Sequence, residues 1–176
     1  MKLLSYLAFW TYRLRRRRGL ALASELLSRF RYSGSRARRI LQMAGAAVGS
    51  GCTIRGPLFI EDDIALEMGE RVFVNTGLTI VGSGPVRLGD FALLGPNVTL
   101  ATAYHPLDPD QRRAERRVVA AAIEVGRNAW IGANVTICAG VRIGEDSTVG
   151  AGSVVIRDVP ARTLAAGVPC RVIRSL

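Results

Sequence analysis

A parallel β-helix is the fold this chain predicts, and three observations carry that expectation. An aliphatic residue followed by a small or polar one recurs at every sixth position: Val125-Gly126, Ile131-Gly132, Ile137-Cys138, Ile143-Gly144 and Val149-Gly150, with Val155 in register and Leu88-Gly89, Leu94-Gly95 and Leu100-Ala101 repeating it earlier. A period of six fits neither a helix turn nor the two-residue alternation of a flat sheet. It marks a solenoid in which each hexapeptide supplies one short strand and three complete a triangular coil. The 19 glycines suit a chain that turns a corner that often, and 176 residues at 49% hydrophobic suit one domain with a continuous core.

The elements follow in chain order. Residues 1–47 lack the six-residue register and read as a helical segment: Leu3, Leu7, Trp10 and Leu14 fall at helical spacing, and a second helix is expected over Leu20 to Phe30, ended by Tyr32-Ser33-Gly34-Ser35. The solenoid spans residues 48–159, with weaker repeats at Val48, Ile54, Ile60, Leu66, Val72 and Leu78. In each repeat the aliphatic residue points inward, and the small residue after it lets the backbone turn. The step from Leu78 to Leu88 is ten residues, which predicts an outward bulge at Gly82-Ser83-Gly84-Pro85. From Leu100 to Val125 the register is lost, so residues 101–124 are expected to leave the solenoid as a structureless loop, the kind of insertion that carries function on a rigid scaffold. Pro160 ends the repeats, and the tail 160–176 is expected to fold back along the prism.

The net charge of +10 is local. Residues 1–40 hold Lys2 and ten arginines against the single acid Glu25, whereas the other 136 residues balance 13 arginines with 13 acids. Two roles fit the basic segment: a cap over the open end of the solenoid, or a helix lying on a membrane surface, with Tyr6, Trp10 and Tyr12 at headgroup level and Arg15–Arg18 on anionic lipid. The main charge follows the apolar stretch, the reverse of a signal peptide, and that stretch is too short to span a bilayer. No nucleic-acid-binding motif accompanies the arginines, so nucleic acid is not an expected partner. Cys52, Cys138 and Cys170 form no CxxC; the first two are read as replacing the small residue of a repeat, structural thiols of a reducing compartment.

His105 is the chain's single histidine and sits in the one long loop. Imidazole is the side chain best matched to removing a hydroxyl proton near neutral pH.

Around it the motifs become specific. Asn75-Thr76-Gly77-Leu78-Thr79-Ile80, Gly95-Pro96-Asn97-Val98-Thr99-Leu100, His105-Pro106-Leu107-Asp108-Pro109, Asn128-Ala129-Trp130-Ile131-Gly132, Gly150-Ala151-Gly152-Ser153 and Ala166-Gly167-Val168-Pro169-Cys170-Arg171-Val172-Ile173 occur in that order. Over about residues 60–176 the chain resembles the hexapeptide-repeat O-acetyltransferases, most closely the maltose and galactoside branch, which includes enzymes acting on capsular and lipopolysaccharide sugars. The resemblance implies a left-handed β-helix, a homotrimer with active sites between neighbours, acetyl-CoA as donor without any metal, and direct transfer to a sugar or glycan hydroxyl. It makes His105 the general base and Asn75 a binder of the acceptor hydroxyl. It places the backbone N–H near Ala133 at the thioester oxygen, Trp130 on the cleft wall and Ala151 along the pantetheine arm. Ile156 and Arg157 match a Thr-Lys pair near the nucleotide end of CoA, and Arg171 and Arg174 match tail arginines set for its phosphates.

Two departures bear on the acceptor: Gly82-Ser83 stand where the sugar acetyltransferases carry an acidic pair, and Phe73 stands where that branch can have Tyr. Ser83 and Phe73 therefore join Asn75 as acceptor-side positions with fewer polar handles. One histidine excludes the three-histidine zinc site of a γ-type carbonic anhydrase, and a fused nucleotidyltransferase domain has no room. A xenobiotic acetyltransferase of the streptogramin or chloramphenicol type is an alternative acceptor class, and a non-catalytic trimeric scaffold at a membrane is an alternative of another kind. The expected location is cytoplasmic, on the inner membrane face if residues 1–18 bind lipid. Deleting residues 1–18 is then expected to abolish co-sedimentation with anionic vesicles, and unchanged partition would assign the segment a different role.

Overall fold

The computed structural model describes Leu7, Thr11, residues 19–30 (Phe30 by its backbone) and residues 34–176. The expected apolar-basic helix of residues 1–18 falls almost wholly outside these residues. Among the described residues no helix is long and apolar enough to cross a membrane.

The chain winds into a left-handed parallel β-helix of five full coils and a partial sixth. Its first face stacks Ala47–Val48, Leu66–Met68, Val86–Leu88, Ile123–Val125 and Arg142–Ile143. The second stacks Thr53–Ile54, Phe73–Val74, Leu93–Leu94, Trp130–Ile131, Thr148–Val149 and Thr163–Gly167, and the third Leu58–Ile60, Leu78–Val81, Thr99–Ala101, Thr136–Cys138 and Val154–Val155. Each coil sends two residues inward per face, the repeat aliphatic and the residue two before it. Ile131 and Ala129, Ile137 and Val135, and Ile143 and Val141 are all buried.

That pairing corrects the register of the early repeats. Met68, Val74 and Ile80 stack on Leu88, Leu94 and Leu100, while Leu66, Val72 and Leu78 occupy the second inward position. Both sets are apolar and lie two residues apart, so a six-residue count cannot separate them. The ten-residue step is therefore two eight-residue steps, Ile60 to Met68 and Ile80 to Leu88. Register partners lie 20 residues apart in the first coils (Val48 with Met68), 37 apart across the excursion (Leu88 with Val125) and 18 apart above it (Val125 with Ile143). All the extra length leaves at one edge, between the third and first faces.

The small residue after the aliphatic does a different job from the one expected. The corner itself is turned three residues after the aliphatic, by left-handed residues such as Asn97, Asn128, Asn134 and Asp146 (φ 53–57°). The small residue answers to the next coil: a β-carbon on Gly126 would lie 2.6 Å from Glu145 N. Cys52 is likewise an inward residue, two before Ile54, and it is buried.

Two helices close the lower end. Helix α1 (Leu20–Phe30) buries Leu20, Ala23 and Leu27, and helix α2 (Ser35–Met43), which the sequence reading left out, buries Ala37, Ile40 and Leu41. Two serines one turn apart on α1 meet the strand Leu58–Ile60. Ser24 Oγ accepts from Ile60 N (3.0 Å) while donating to Leu20 O, and Ser28 Oγ accepts from Leu58 N and donates to Leu58 O. The Asp62 carboxylate accepts from Ala21 N in the first turn of α1, where the helix dipole favours negative charge.

At the other end the tail forms an antiparallel hairpin, Thr163–Gly167 with Cys170–Ser175, that extends the second face rather than folding back along it. Burial pushes the Cys170 thiol up from its ordinary value, against opposing contributions from Ser153 and Arg171. It is therefore protonated at neutral pH.

Ser24→Ala should strand the buried Ile60 N–H and cost about 1–3 kcal/mol, read as a lower denaturant midpoint; an unchanged midpoint would show that the cap contributes through apolar contact alone.

Candidate active site

The outward residues of the second face form a column, Phe73, Leu93, Trp130 and Thr148, each the register partner of the next. Beside it runs the corner column that follows the inward aliphatics: Asn75, Gly95, Gly132 and Gly150. With Pro96, Ala133 and Ala151 they line a groove of about 650 Å³. At a strand spacing near 4.8 Å, Asn75 to Gly150 spans about 14 Å. Trp130 is 55% exposed, more than a packing role requires, and stands as a wall of this groove.

The groove is lined with backbone donors as well as apolar surface. A β-carbon on Gly95 would lie 2.9 Å from Ala133 N, and one on Gly132 would lie 2.6 Å from Ala151 N. Among the described residues neither the Ala133 nor the Ala151 N–H has a hydrogen-bond acceptor. Two N–H groups, one coil apart, thus stand beside the groove without a partner, and glycine below each keeps the approach to them open. At its lower end Asn75 Oδ1 accepts from Thr76 N (2.9 Å). That bond satisfies the corner and fixes the amide, leaving Nδ2 as the free donor.

His105 stands elsewhere. The excursion is ordered, contrary to the structureless loop expected: Ala103–Tyr104 pairs antiparallel with Val119–Ala120, and helix α3 (Pro109–Glu115) crosses its tip. Asp108 caps that helix by accepting from Asp110 N and Gln111 N, and proline follows at the first helical position. Asp108-Pro109 is a helix-start signal that the sequence reading passed over. Buried Thr102 roots the excursion, donating to Val81 O and accepting from Gly84 N, while Ala121 N donates to Thr102 O. His105 is exposed, with Nδ1 3.3 Å from Arg117 O. No residue of 101–124 lines the groove, which lies one face away from the edge where the excursion leaves.

The structure thus brings together Phe73, Asn75, Trp130, Ala133 and Ala151, and leaves His105 and Ser83 apart from them. Ser83 is exposed at the base of the excursion, where Gly82 N donates to Glu61 Oε2 (2.6 Å). Ile156 and Arg157 are exposed after the last strand of the third face, and Arg171 and Arg174 on the tail hairpin above the groove. Sequence reasoning missed Arg55, one coil below Asn75; the corrected 20-residue register is the signal that finds it. Among the described residues no group of three His, Cys, Asp or Glu could hold a metal ion.

The family model "Bacterial transferase hexapeptide (six repeats)" matches residues 122–157. A galactoside O-acetyltransferase of Escherichia coli is 40% identical over 131 residues, 74% of this chain and 64% of that protein. A galactoside acetyltransferase solved with coenzyme A superposes with a TM-score of 0.74 at 31% identity, covering 98% of this chain and 79% of that one. The chain belongs to the hexapeptide-repeat acetyltransferases. Another member, from Vibrio cholerae and solved with acetyl-coenzyme A, matches with a TM-score of 0.73 at 34% identity over 80% of this chain and 76% of its own. The chain spans just under two thirds of the length of the curated relatives it matches.

Gly132→Ala should force Ala151 outward and lower stability by about 1–3 kcal/mol, with amide shifts in an NMR spectrum centred on Ala133 and Ala151. Shifts confined to Gly132 and its chain neighbours would mean that the coils do not approach this closely.

Proposed function

We propose that the chain transfers acetyl from acetyl-CoA to a hydroxyl of a sugar or glycan precursor, at a site shared between neighbouring copies. The observation that carries this reading is the pair of unpartnered N–H groups, Ala133 and Ala151, in an apolar groove with Asn75 at its end. A pantetheine arm has amides of its own and lies along exposed backbone as an extra strand does, and solved relatives hold coenzyme A and acetyl-coenzyme A. The tail hairpin carries Arg171 and Arg174 just beyond the Ala151 end, because Thr163–Gly167 pairs with Thr148–Val149. With Arg157 they supply cations for the nucleotide phosphates; Ile156 beside them offers no hydrogen bond.

The single chain lacks a base in its groove, and the excursion that carries His105 leaves from the far edge of the prism. A neighbouring copy, in the homotrimer the family resemblance implies, supplies the imidazole. Its Nδ1–H donates to Arg117 O, which sets the tautomer and leaves Nε2 with a lone pair. Nε2 takes the proton of the acceptor hydroxyl as that oxygen bonds to the acetyl carbon. The Ala133 N–H donates to the carbonyl oxygen as negative charge grows there. The carbon–sulfur bond breaks, and His105 returns the proton to the departing sulfur. Asn75 Nδ2 holds the acceptor oxygen in line. Residues 1–18, if they rest on anionic lipid, bring this site to a lipid-linked sugar at the cytoplasmic membrane face.

His105→Ala should lower kcat about 10²–10⁴-fold with little change in acetyl-CoA affinity. The readout is thiol release over sugars, nucleotide sugars and lipid-linked glycans. Unchanged turnover would remove His105 from the chemistry, and absence of acetyl-CoA binding would leave the non-catalytic scaffold.

A further inference from the structure

We infer that Arg55 is an acceptor-specificity residue, and that the acceptor sugar carries an anionic group, a phosphate or a carboxylate, next to the hydroxyl that is acetylated. Ile54 pairs with Val74, so Arg55 follows Ile54 as Asn75 follows Val74, one coil apart in the same corner column. That column continues upward as Gly95, Gly132 and Gly150, the residues that line the groove. Arg55 is therefore the side chain at the groove's lower mouth, one strand spacing of about 4.8 Å below the Asn75 backbone.

Its guanidinium is held there. Arg55 Cζ lies 5.1 Å from the centroid of the Phe73 ring, which is itself a groove wall. Stacking on a ring occupies the guanidinium face and leaves the N–H edge free to donate. Elsewhere on the solenoid Arg87, Arg127 and Arg142 pair with Glu67, Glu124 or Glu145, and Arg71, which also stacks on a ring, does so on Phe91 away from the groove. Arg55 has no such carboxylate among the described residues. An oriented, uncompensated cation beside an otherwise apolar wall gives a neutral sugar nothing to neutralise it, whereas a planar N–H edge suits the paired oxygens of a phosphate or carboxylate. Phe73 thus has a use that its missing hydroxyl conceals: it is the platform for the cation.

This inference rests on the acetyl-transfer reading, and the test separates the two. Titration calorimetry would compare glucose, glucose 1-phosphate and glucuronate on the full chain and on Arg55→Ala and Arg55→Lys, with thiol-release kinetics on the same three acceptors and thermal melts as a control on folding. The wild type is expected to bind at least one anionic sugar roughly tenfold more tightly than glucose. Arg55→Ala should erase that preference and Arg55→Lys should keep part of it; which anion gains most identifies the group. Equal affinity for all three sugars in the wild type, or a preference that survives in a folded Arg55→Ala, overturns the assignment. Preferential binding without turnover on any sugar would uphold Arg55 as an anion contact and count against the reaction instead. Turnover whose anionic-to-neutral kcat/KM ratio is the same in Arg55→Ala would uphold the reaction and remove Arg55.

Discussion

The closeness of successive coils is the constraint on which the rest depends. Parallel strands stacked at about 4.8 Å bring a backbone nitrogen of one coil to where a β-carbon of the coil below would stand: 2.6 Å at Gly126 and at Gly132, 2.9 Å at Gly95. The small residue after each aliphatic follows from that approach. So does the groove, because the same absent side chains uncover the Ala133 and Ala151 N–H groups. One geometric demand thus shapes both the core repeat and the surface where a donor substrate is proposed to lie.

Two kinds of information were unequally legible in the sequence. The coil count above Leu88 and the stacked aliphatics are plain, because from Leu88 to Val149 a small residue follows one member of each inward pair and marks it. The register below Leu88 was not: Leu66 and Met68, Val72 and Val74, and Leu78 and Ile80 are all buried, and a hydropathy pattern cannot say which member of each pair stacks on its neighbours. That two-residue ambiguity hid Arg55, whose meaning comes from Asn75 one coil above rather than from anything beside it in the chain. The excursion is legible as a loss of the six-residue register, but its own structure is not: the Asp108-Pro109 start of helix α3 is a local signal that a register count does not read.

The groove residues Phe73, Asn75, Trp130, Ala133 and Ala151 fall on one face because a repeat of nearly fixed length returns to the same place. His105 shares no coil phase with them. Its loop leaves from the edge where coils one to three absorb two, two and many more extra residues, so the position of the imidazole is set by Thr102 and the hairpin rather than by the repeat. Chain-length changes gathered on one edge leave the other two corners in step. The groove and the imidazole can therefore diverge separately.

The two serines of helix α1 have a consequence for how many molecules can join end to end. A stack of parallel strands grows like a one-dimensional crystal: any strand with open N–H and C=O groups can template another, and identical prisms meeting end on would form a fibre. Ser24 and Ser28 occupy the donors of Leu58 and Ile60 with hydroxyls instead of a further strand, and a hydroxyl passes on no template. The upper end finishes with a reversed strand, Cys170–Ser175, bearing Arg171 and Arg174, which cannot continue the parallel register. Continuation of the parallel register is thus opposed on the third face at the lower end and on the second face at the upper end, by different chemistry.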